Sequence, residues 1–168
     1  FPAELEPALA MATGMLEVGA QGEKLAGAGF WLYGEHERAL GSVASGSTGT
    51  IYYAVRFKNN TGSSIGGLAI AYMGEQWRDG GAATPAAQTL NFQYQIAAAG
   101  VITAANTPST GWIPFSSLSF TSPRFTNTGS GAGLDGNNAI NRTAKSATLL
   151  FPSGVAAGQE IFLRWQDL

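Results

Sequence analysis

Large apolar residues alternate with smaller or polar ones in two segments of the chain, residues 51–58 and 90–96. The large apolar residues at alternate positions are Ile51, Tyr53, Val55 and Phe57 in the first segment and Leu90, Phe92, Tyr94 and Ile96 in the second. Because successive side chains of a β-strand point to opposite faces, this period predicts two strands that each turn one face toward a core. The opposite face of the second strand carries Asn91, Gln93 and Gln95, so it is polar but uncharged.

Shorter apolar runs between turn-forming residues predict the remaining strands. They lie at residues 30–33, 38–43, 68–73, 144–151 and 160–167, with edge segments at 112–115 and 118–120, where Pro114 cannot donate to a ladder. About eight or nine short strands without a helix predict an all-β fold, an antiparallel two-sheet β-sandwich that is jelly-roll-like. Residues 1–28 are predicted to be a poorly defined N-terminal arm with a short strand near residues 15–18, and residues 29–168 to be a single β-sandwich domain.

The composition excludes several classes of function. Charged residues make up 12% of the 168 residues, about half the usual share, and the net charge is −2 without any run of Lys or Arg. A surface that binds nucleic acid by neutralising phosphates is therefore not expected. The absence of Cys excludes disulfides, cysteine-ligated zinc and a thiol nucleophile, and the single His36 excludes a two-His metal motif within the chain. No apolar stretch reaches 18 residues, so no membrane span is expected.

The segment Glu75-Gln76-Trp77-Arg78, at the end of a predicted strand, has two interpretations. As a ligand site, Trp77 would stack on a sugar or another flat apolar face, while Glu75, Gln76 and Arg78 make directional hydrogen bonds. As a structural feature, Trp77 would be a core residue, and an Arg–carboxylate pair would fix the end of the strand. The alternation of the strand favours the structural interpretation.

An oxygen-rich loop surrounds Asp135. Asp135 and Asn137 supply the hard oxygen ligands that Ca²⁺ prefers, and Asp167 would add a second carboxylate if the last strand lies alongside, so these three residues form the predicted metal site. The alternative is an Asx-turn loop in which Asp135 pairs with Arg142 or Arg164. The single carboxylate of the loop favours this alternative. Apart from a structural Ca²⁺, no cofactor is expected.

The few charged residues of the chain are predicted to be paired. Arginines embedded in strands are expected to form ion pairs, since the guanidinium fork matches a carboxylate. These arginines are Arg56, Arg78, Arg142 and Arg164. His36 lies between two Glu residues, but alternation separates it from both, which favours a surface strand start over a metal or base site. No Ser/His/Asp set can be built without His36, so the chain is not expected to be an enzyme.

Five segments, taken together and in order, resemble a family of secreted bacterial β-sandwich modules. Such jelly-roll-like modules occur in surface proteins that carry a C-terminal sorting tail and beside extracellular hydrolase or nuclease domains. The segments lie at residues 38–46, 49–62, 72–78, 133–143 and 163–167, so the resemblance covers roughly residues 36–168. It implies a secreted protein, extracellular or at the cell surface, with an accessory and non-catalytic role.

The C-terminus departs from the family pattern. Members of the family usually continue past the sequence Arg-Trp-x-Asp into an Asp/Gly-rich loop and a last strand, whereas this sequence stops at Leu168. An open sheet edge is therefore expected near residues 163–167, where unpaired backbone groups would invite strand addition.

Two functional hypotheses follow. The first is a non-catalytic extracellular module that binds a polysaccharide or a cell-surface glycan; Tyr52 and Trp112 are further candidate exposed aromatics. Its predicted ligand-binding residues are Glu75, Trp77, Arg78 and Gln93. The second is a structural subunit of a surface layer or fibre, which self-associates when the N-terminal arm or an open sheet edge completes the sheet of a neighbour.

Overall fold

A computed structural model describes residues 7–8, 31–33, 39–42, 49–103 and 107–168, with side chains from residue 41 onward. The strands in these ranges are β1 (Pro7–Ala8), β2 (Trp31–Tyr33), β3 (Ala39–Gly41), β4 (Ile51–Lys58), β5 (Ile65–Glu75), β6 (Arg78–Asp79), β7 (Thr89–Ala97), β8 (Ile113–Pro114), β9 (Phe120–Thr121), β10 (Ala132–Gly133), β11 (Arg142–Val155) and β12 (Glu160–Asp167). Short 3₁₀ turns lie at Ser116–Leu118 and Ala139–Asn141. No helix in the described part of the chain is long and apolar enough to cross a membrane.

The larger sheet is antiparallel and has the strand order β1–β4–β12–β7–β8, with β9 pairing with β7 at Thr89 and Leu90. The C-terminal strand β12 lies at its centre, where Leu163 pairs with Val55 of β4 on one side and with Tyr94 of β7 on the other. The expectation of an open edge beside residues 163–167 is therefore wrong. The physical reason is that β12 inserts between two strands that come earlier in the sequence, so both of its edges are hydrogen-bonded.

A second antiparallel sheet consists of β5 and β11. These two strands pair continuously from Arg142 opposite Glu75 to Leu150 opposite Gly67, and an irregularity follows before Val155 pairs with Ile65. Within the described chain neither strand has a second neighbour. The smaller pairs β2–β3 and β6–β10 complete the topology, and β2 and β3 fall inside the two strands predicted for residues 30–33 and 38–43.

Both sheets contribute side chains to the core. It is built from side chains of β7, β11 and β12 together with Leu118, and the rings of Tyr94 and Phe151 pack with their centroids 5.9 Å apart. The predicted all-β, antiparallel class is confirmed. Along β4 and β7 the alternation is confirmed most clearly by the burial of four of the predicted inward residues, Ile51, Tyr53, Phe92 and Tyr94.

Strand β12 is buried on both faces, unlike its neighbours. Ile161, Phe162 and Leu163 are successive residues, and all three are buried. Because successive residues of a strand face opposite sides, the face of the larger sheet that points away from the core is also covered at its centre. This second covered face contains Arg164.

Candidate functional site

A cleft lies between one end of the larger sheet and the segment that follows β5. Its volume is about 940 Å³, in the range of sites that bind small ligands. Residues of β4 and β12 line one side, and residues 72–82 line the other. The aromatic residues of the lining are Tyr53, Tyr72, Trp77, Phe120, Phe125 and Trp165. Three predicted ligand-binding residues, Glu75, Trp77 and Arg78, lie in this lining.

The buried side chain of Gln76 positions the wall of the cleft. Its Oε1 accepts a hydrogen bond from the backbone N–H of Arg124 at 2.8 Å, and its Nε2 donates to the carbonyl of Arg124 at 2.7 Å and to that of Arg78 at 3.0 Å. A buried amide thus supplies the pattern of bonds that a neighbouring strand would supply. It attaches the chain near Arg124 to the end of β5.

Asp79 holds the next part of the same wall. Its carboxylate accepts hydrogen bonds from Thr126 Oγ1 at 2.6 Å, from the backbone N–H of Thr126 at 3.1 Å and from that of Gly81 at 3.1 Å. The hydroxyl of Thr126 and then the N–H of Gly81 are the main groups that hold the pKa of Asp79 below its ordinary value of 3.8. The ionised carboxylate therefore fixes residues 79–81 against Thr126.

Trp77 is half-buried and fixed in orientation. Its Nε1 donates to Glu75 Oε2 at 3.0 Å, and a Cβ atom on Gly136 would overlap its indole ring. The backbone N–H of Leu134 donates to the carbonyl of Trp77 at 2.9 Å. Glu75 is thus bonded to Trp77, and the neighbouring Arg78 lies against Gly131 instead of forming an ion pair in the described chain.

The three residues of the predicted calcium site lie in different surroundings. Asp135 Oδ1 accepts from the backbone N–H of Asn137 at 3.0 Å, which is an Asx turn, and Asp167 Oδ2 accepts from Ser42 Oγ at 2.7 Å. Asp167 lines the cleft, whereas Asp135 does not. The described residues contain no group of three or more His, Asp or Glu side chains placed to hold a metal ion. The calcium site stays a prediction.

The fourth predicted ligand-binding residue, Gln93, belongs to a separate group on the covered outer face of the larger sheet. We call it the Arg164 cluster, and its members are Tyr52, Gln93, Trp112, Arg164 and Gln166. Arg164 Nε donates to Gln93 Oε1 at 2.7 Å. The guanidinium carbon lies 3.8 Å from the ring centre of Trp112 and 4.5 Å from that of Tyr52. Burial lowers the pKa of Arg164, although an arginine remains charged at neutral pH.

The prediction that the strand arginines pair with carboxylates is right for one of them. Arg56 lies 3.6 Å from Glu160. For Arg78, Arg142 and Arg164 the prediction is wrong, since none is ion-paired in the described chain. Arg164 instead packs between two aromatic rings, an alternative to ion pairing that the flat, weakly hydrated guanidinium allows.

Sequence reasoning missed Tyr53 and Trp165, which line the β4 and β12 side of the cleft, and it also missed Tyr72 on the other side. Tyr72 meets Trp165 edge to face with ring centroids 5.2 Å apart, and its hydroxyl donates to the carbonyl of Leu118. Burial raises the pKa of this phenol. The one available signal was that Tyr53 and Trp165 each lie near the end of a predicted strand, but only the register of β4 with β12 makes them direct partners.

Two predictions fall on residues outside the described part of the chain. They are the site formed by His36 with its two Glu neighbours and the short strand near residues 15–18. Comparison of the chain with protein-family models, with curated proteins and with solved structures found no match.

Proposed function

We propose that the protein is a non-catalytic, secreted module with a jelly-roll-like sandwich fold that binds a polysaccharide or a cell-surface glycan in the cleft. The observation that carries this proposal is that Glu75, Trp77 and Arg78 line the same cleft as Tyr53 and Trp165. Aromatic walls with a few polar groups between them are what a sugar requires. Its C–H faces pack on rings, and its hydroxyls need directional partners.

The fixed orientation of Trp77 supports binding of a rigid ring. Its indole N–H is held by Glu75 and one region of its ring lies against Gly136, so little conformational entropy remains to be lost when a sugar stacks on it. Arg78 is exposed beside Trp77 and forms no ion pair in the described chain, which leaves donors for hydroxyl groups.

The non-catalytic part of the proposal rests on the carboxylates of the cleft. A glycosidase uses two carboxyl groups, and the general acid needs a raised pKa. Asp79 has a lowered pKa because of its hydrogen bonds to Thr126 and Gly81. Glu75 is bonded to Trp77, and Asp167 is bonded to Ser42. Each of these acids has a structural partner, which suits a site that binds without reacting.

The extracellular part of the proposal rests on the family resemblance and on composition. The chain has no Cys and few charged residues, and it obtains its polarity from uncharged side chains. Such a composition fits a protein that works outside the cell, although the resemblance carries more weight in this assignment.

The test of glycan binding is a panel of soluble neutral and acidic polysaccharides screened against the full chain, followed by calorimetric titration of the tightest binder. We expect Trp77→Ala to weaken binding at least about tenfold, because removing a stacking ring removes most of the contact with a sugar face. The matched control is Ile140→Ala, which truncates a side chain that is 61% exposed and does not line the cleft.

Thermal unfolding of each variant shows whether weaker binding comes from loss of the site or from loss of the fold. If Trp77→Ala is unstable, Trp77→Phe replaces it as the test variant, since it keeps an aromatic ring at this position. The expected result is weaker binding by a folded Trp77 variant with unchanged binding by Ile140→Ala. Absence of binding to the whole panel, or equal binding by a folded Trp77→Ala, would overturn the proposal.

A second candidate function, a subunit of a surface layer or fibre, is favoured by the small sheet. Strands β5 and β11 form a long two-stranded ladder in which each strand has one edge without a described neighbour. Unpaired N–H and C=O groups along such an edge are able to pair with another copy of the chain. If this alternative holds, the protein assembles in solution. Measuring its oligomeric state therefore tests the structural function.

A further inference from the structure

Arg164 is a buried cation that has no ion-pair partner among the described residues. It is 6% exposed, and no carboxylate in the described chain lies within ion-pair distance of it. Its neighbour on the same sheet face, Arg56, does have such a partner in Glu160. Burying an arginine without an anionic partner is costly, so Arg164 calls for an explanation beyond stability of the sheet.

The surroundings of Arg164 hold its guanidinium plane in one place. The rings of Trp112 and Tyr52 pack against it, and its Nε donates to Gln93 Oε1. Neither terminal nitrogen donates a hydrogen bond to a described residue. The fork formed by these two nitrogens is therefore preorganised, and no acceptor of the described residues occupies it.

Amide and hydroxyl groups of the cluster lie beside Arg164. Gln166 Nε2 lies 3.2 Å from the hydroxyl of Tyr52, and Gln93 Nε2 lies 3.5 Å from Gln166 Oε1. Arg164 is the one charged residue among the five members of the cluster, and Arg56 on the same sheet face is paired with Glu160. One charge with uncharged donors and acceptors suits a monoanion that also bears hydroxyl groups.

We propose that the Arg164 cluster binds the carboxylate of a uronic acid residue in an acidic glycan. A carboxylate is planar and has two oxygens, so it accepts two parallel hydrogen bonds from a guanidinium fork. The neighbouring amides match sugar hydroxyls. None of the five residues of the cluster lines the cleft, so this is a second site. The sugar part of the inference rests on the proposed function, whereas the carboxylate part does not.

The test follows the indole N–H resonances of the ¹⁵N-labelled full chain, which contains four Trp residues that single Trp→Phe variants assign. The probes are a trisaccharide of galacturonic acid, the matching neutral galactose trisaccharide and a sulfated galactose trisaccharide. We expect the galacturonate probe to shift the Trp112 resonance and the neutral probe to leave it unchanged. Equal affinity of the sulfated probe at Trp112 would overturn the assignment to a carboxylate.

Arg164→Lys is the decisive variant, because lysine keeps the charge and loses the planar fork. We expect it to lower the affinity for galacturonate at least about tenfold, while Arg56→Lys, a matched change on the same sheet face, leaves it unchanged. If Arg164→Lys does not fold, the presence or absence of a Trp112 shift in the wild-type chain still tests whether galacturonate binds at the cluster. No Trp112 shift with galacturonate, or unchanged affinity in a folded Arg164→Lys, would overturn the inference.

Failure of this inference is distinguishable from failure of the proposed function. Loss of neutral-glycan binding in Trp77→Ala together with no Trp112 shift leaves the cleft proposal standing and removes the Arg164 site. A Trp112 shift with galacturonate, together with no glycan bound in the cleft, supports the Arg164 site and removes the cleft proposal.

Discussion

The carboxylate of Asp79 joins two segments of the chain, residues 79–81 and the region of Thr126, by accepting hydrogen bonds from three donor groups. It accepts bonds from the hydroxyl and N–H of Thr126 and from the N–H of Gly81, and it is 5% exposed. A neutral carboxyl group accepts such bonds more weakly than a carboxylate does. The cleft wall formed by residues 79–82 is therefore held by a charge that acid can remove.

This arrangement predicts a specific acid sensitivity. Because the folded state lowers the pKa of Asp79 below 3.8, its contribution to stability is present above the unfolded pKa and is lost as pH falls through the folded one. Between about pH 5 and pH 2, we expect the free energy of unfolding to fall more steeply for the wild type than for Asp79→Asn. Urea unfolding at a series of pH values measures this, and equal slopes would contradict it.

Single residues also show where sequence reasoning reaches its limit. Glu75, Trp77 and Arg78 could be predicted as a group because they are neighbours in the chain. The partners of Arg164 could not, since Tyr52 and Trp112 are distant in sequence and reach it only through the order of the strands. A rule based on charge alone expects a carboxylate there and overlooks aromatic packing.

At the scale of the strands, β5 tolerates no side chain where Phe120 of β9 crosses it. Gly74 is buried, and a Cβ atom there would overlap the ring of Phe120, which is itself buried. Close approach of a strand and an aromatic ring, and not backbone conformation, thus explains this glycine. The contact connects the small sheet to the edge of the large one.

We expect Gly74→Ala to destabilise the protein by about 1–3 kcal/mol, because a well-packed core has no room for an added methyl group. Gly66→Ala is the matched control, since it makes the same change in the same strand with no atom within 4 Å of the new Cβ. We expect the control to be neutral or slightly stabilising. Denaturant unfolding measures both, and equal stability of the two variants would count against the contact.

The strands themselves were the best-predicted part of the fold, and their connections the worst. Alternation identified β4 and β7 because each has one face on the core. Polar residues at 59–62 predicted a turn, but not that Asn59 Nδ2 donates to the carbonyls of Ser63 and Val155 and so joins β4 to β11. Strand order depends on contacts between distant residues, which a local pattern does not contain.

For the molecule as a whole, the order of the strands also determines which residues form the walls of the cleft. Its two walls come from segments near residues 53, 75 and 165, which meet because β12 pairs with β4 and the small sheet covers the core. The wall that contains Glu75, Trp77 and Arg78 could therefore be predicted from one sequence segment. The wall that contains Tyr53 and Trp165 could not, because it depends on the arrangement of the strands.

The same arrangement leaves β11 with an edge that no described strand covers, and the exposed Ser146 and Thr148 lie along it. If the protein is a structural subunit, the wild-type chain forms oligomers at high concentration, measured as mass by light scattering. Charged residues protect edge strands from pairing, so Ser146→Lys with Thr148→Lys would then yield monomers. Ala156→Lys with Ala157→Lys adds the same charge in the exposed turn after β11 and should leave the mass unchanged. A wild-type chain that stays monomeric would remove the structural alternative and leave the glycan-binding function as the one that the cleft supports.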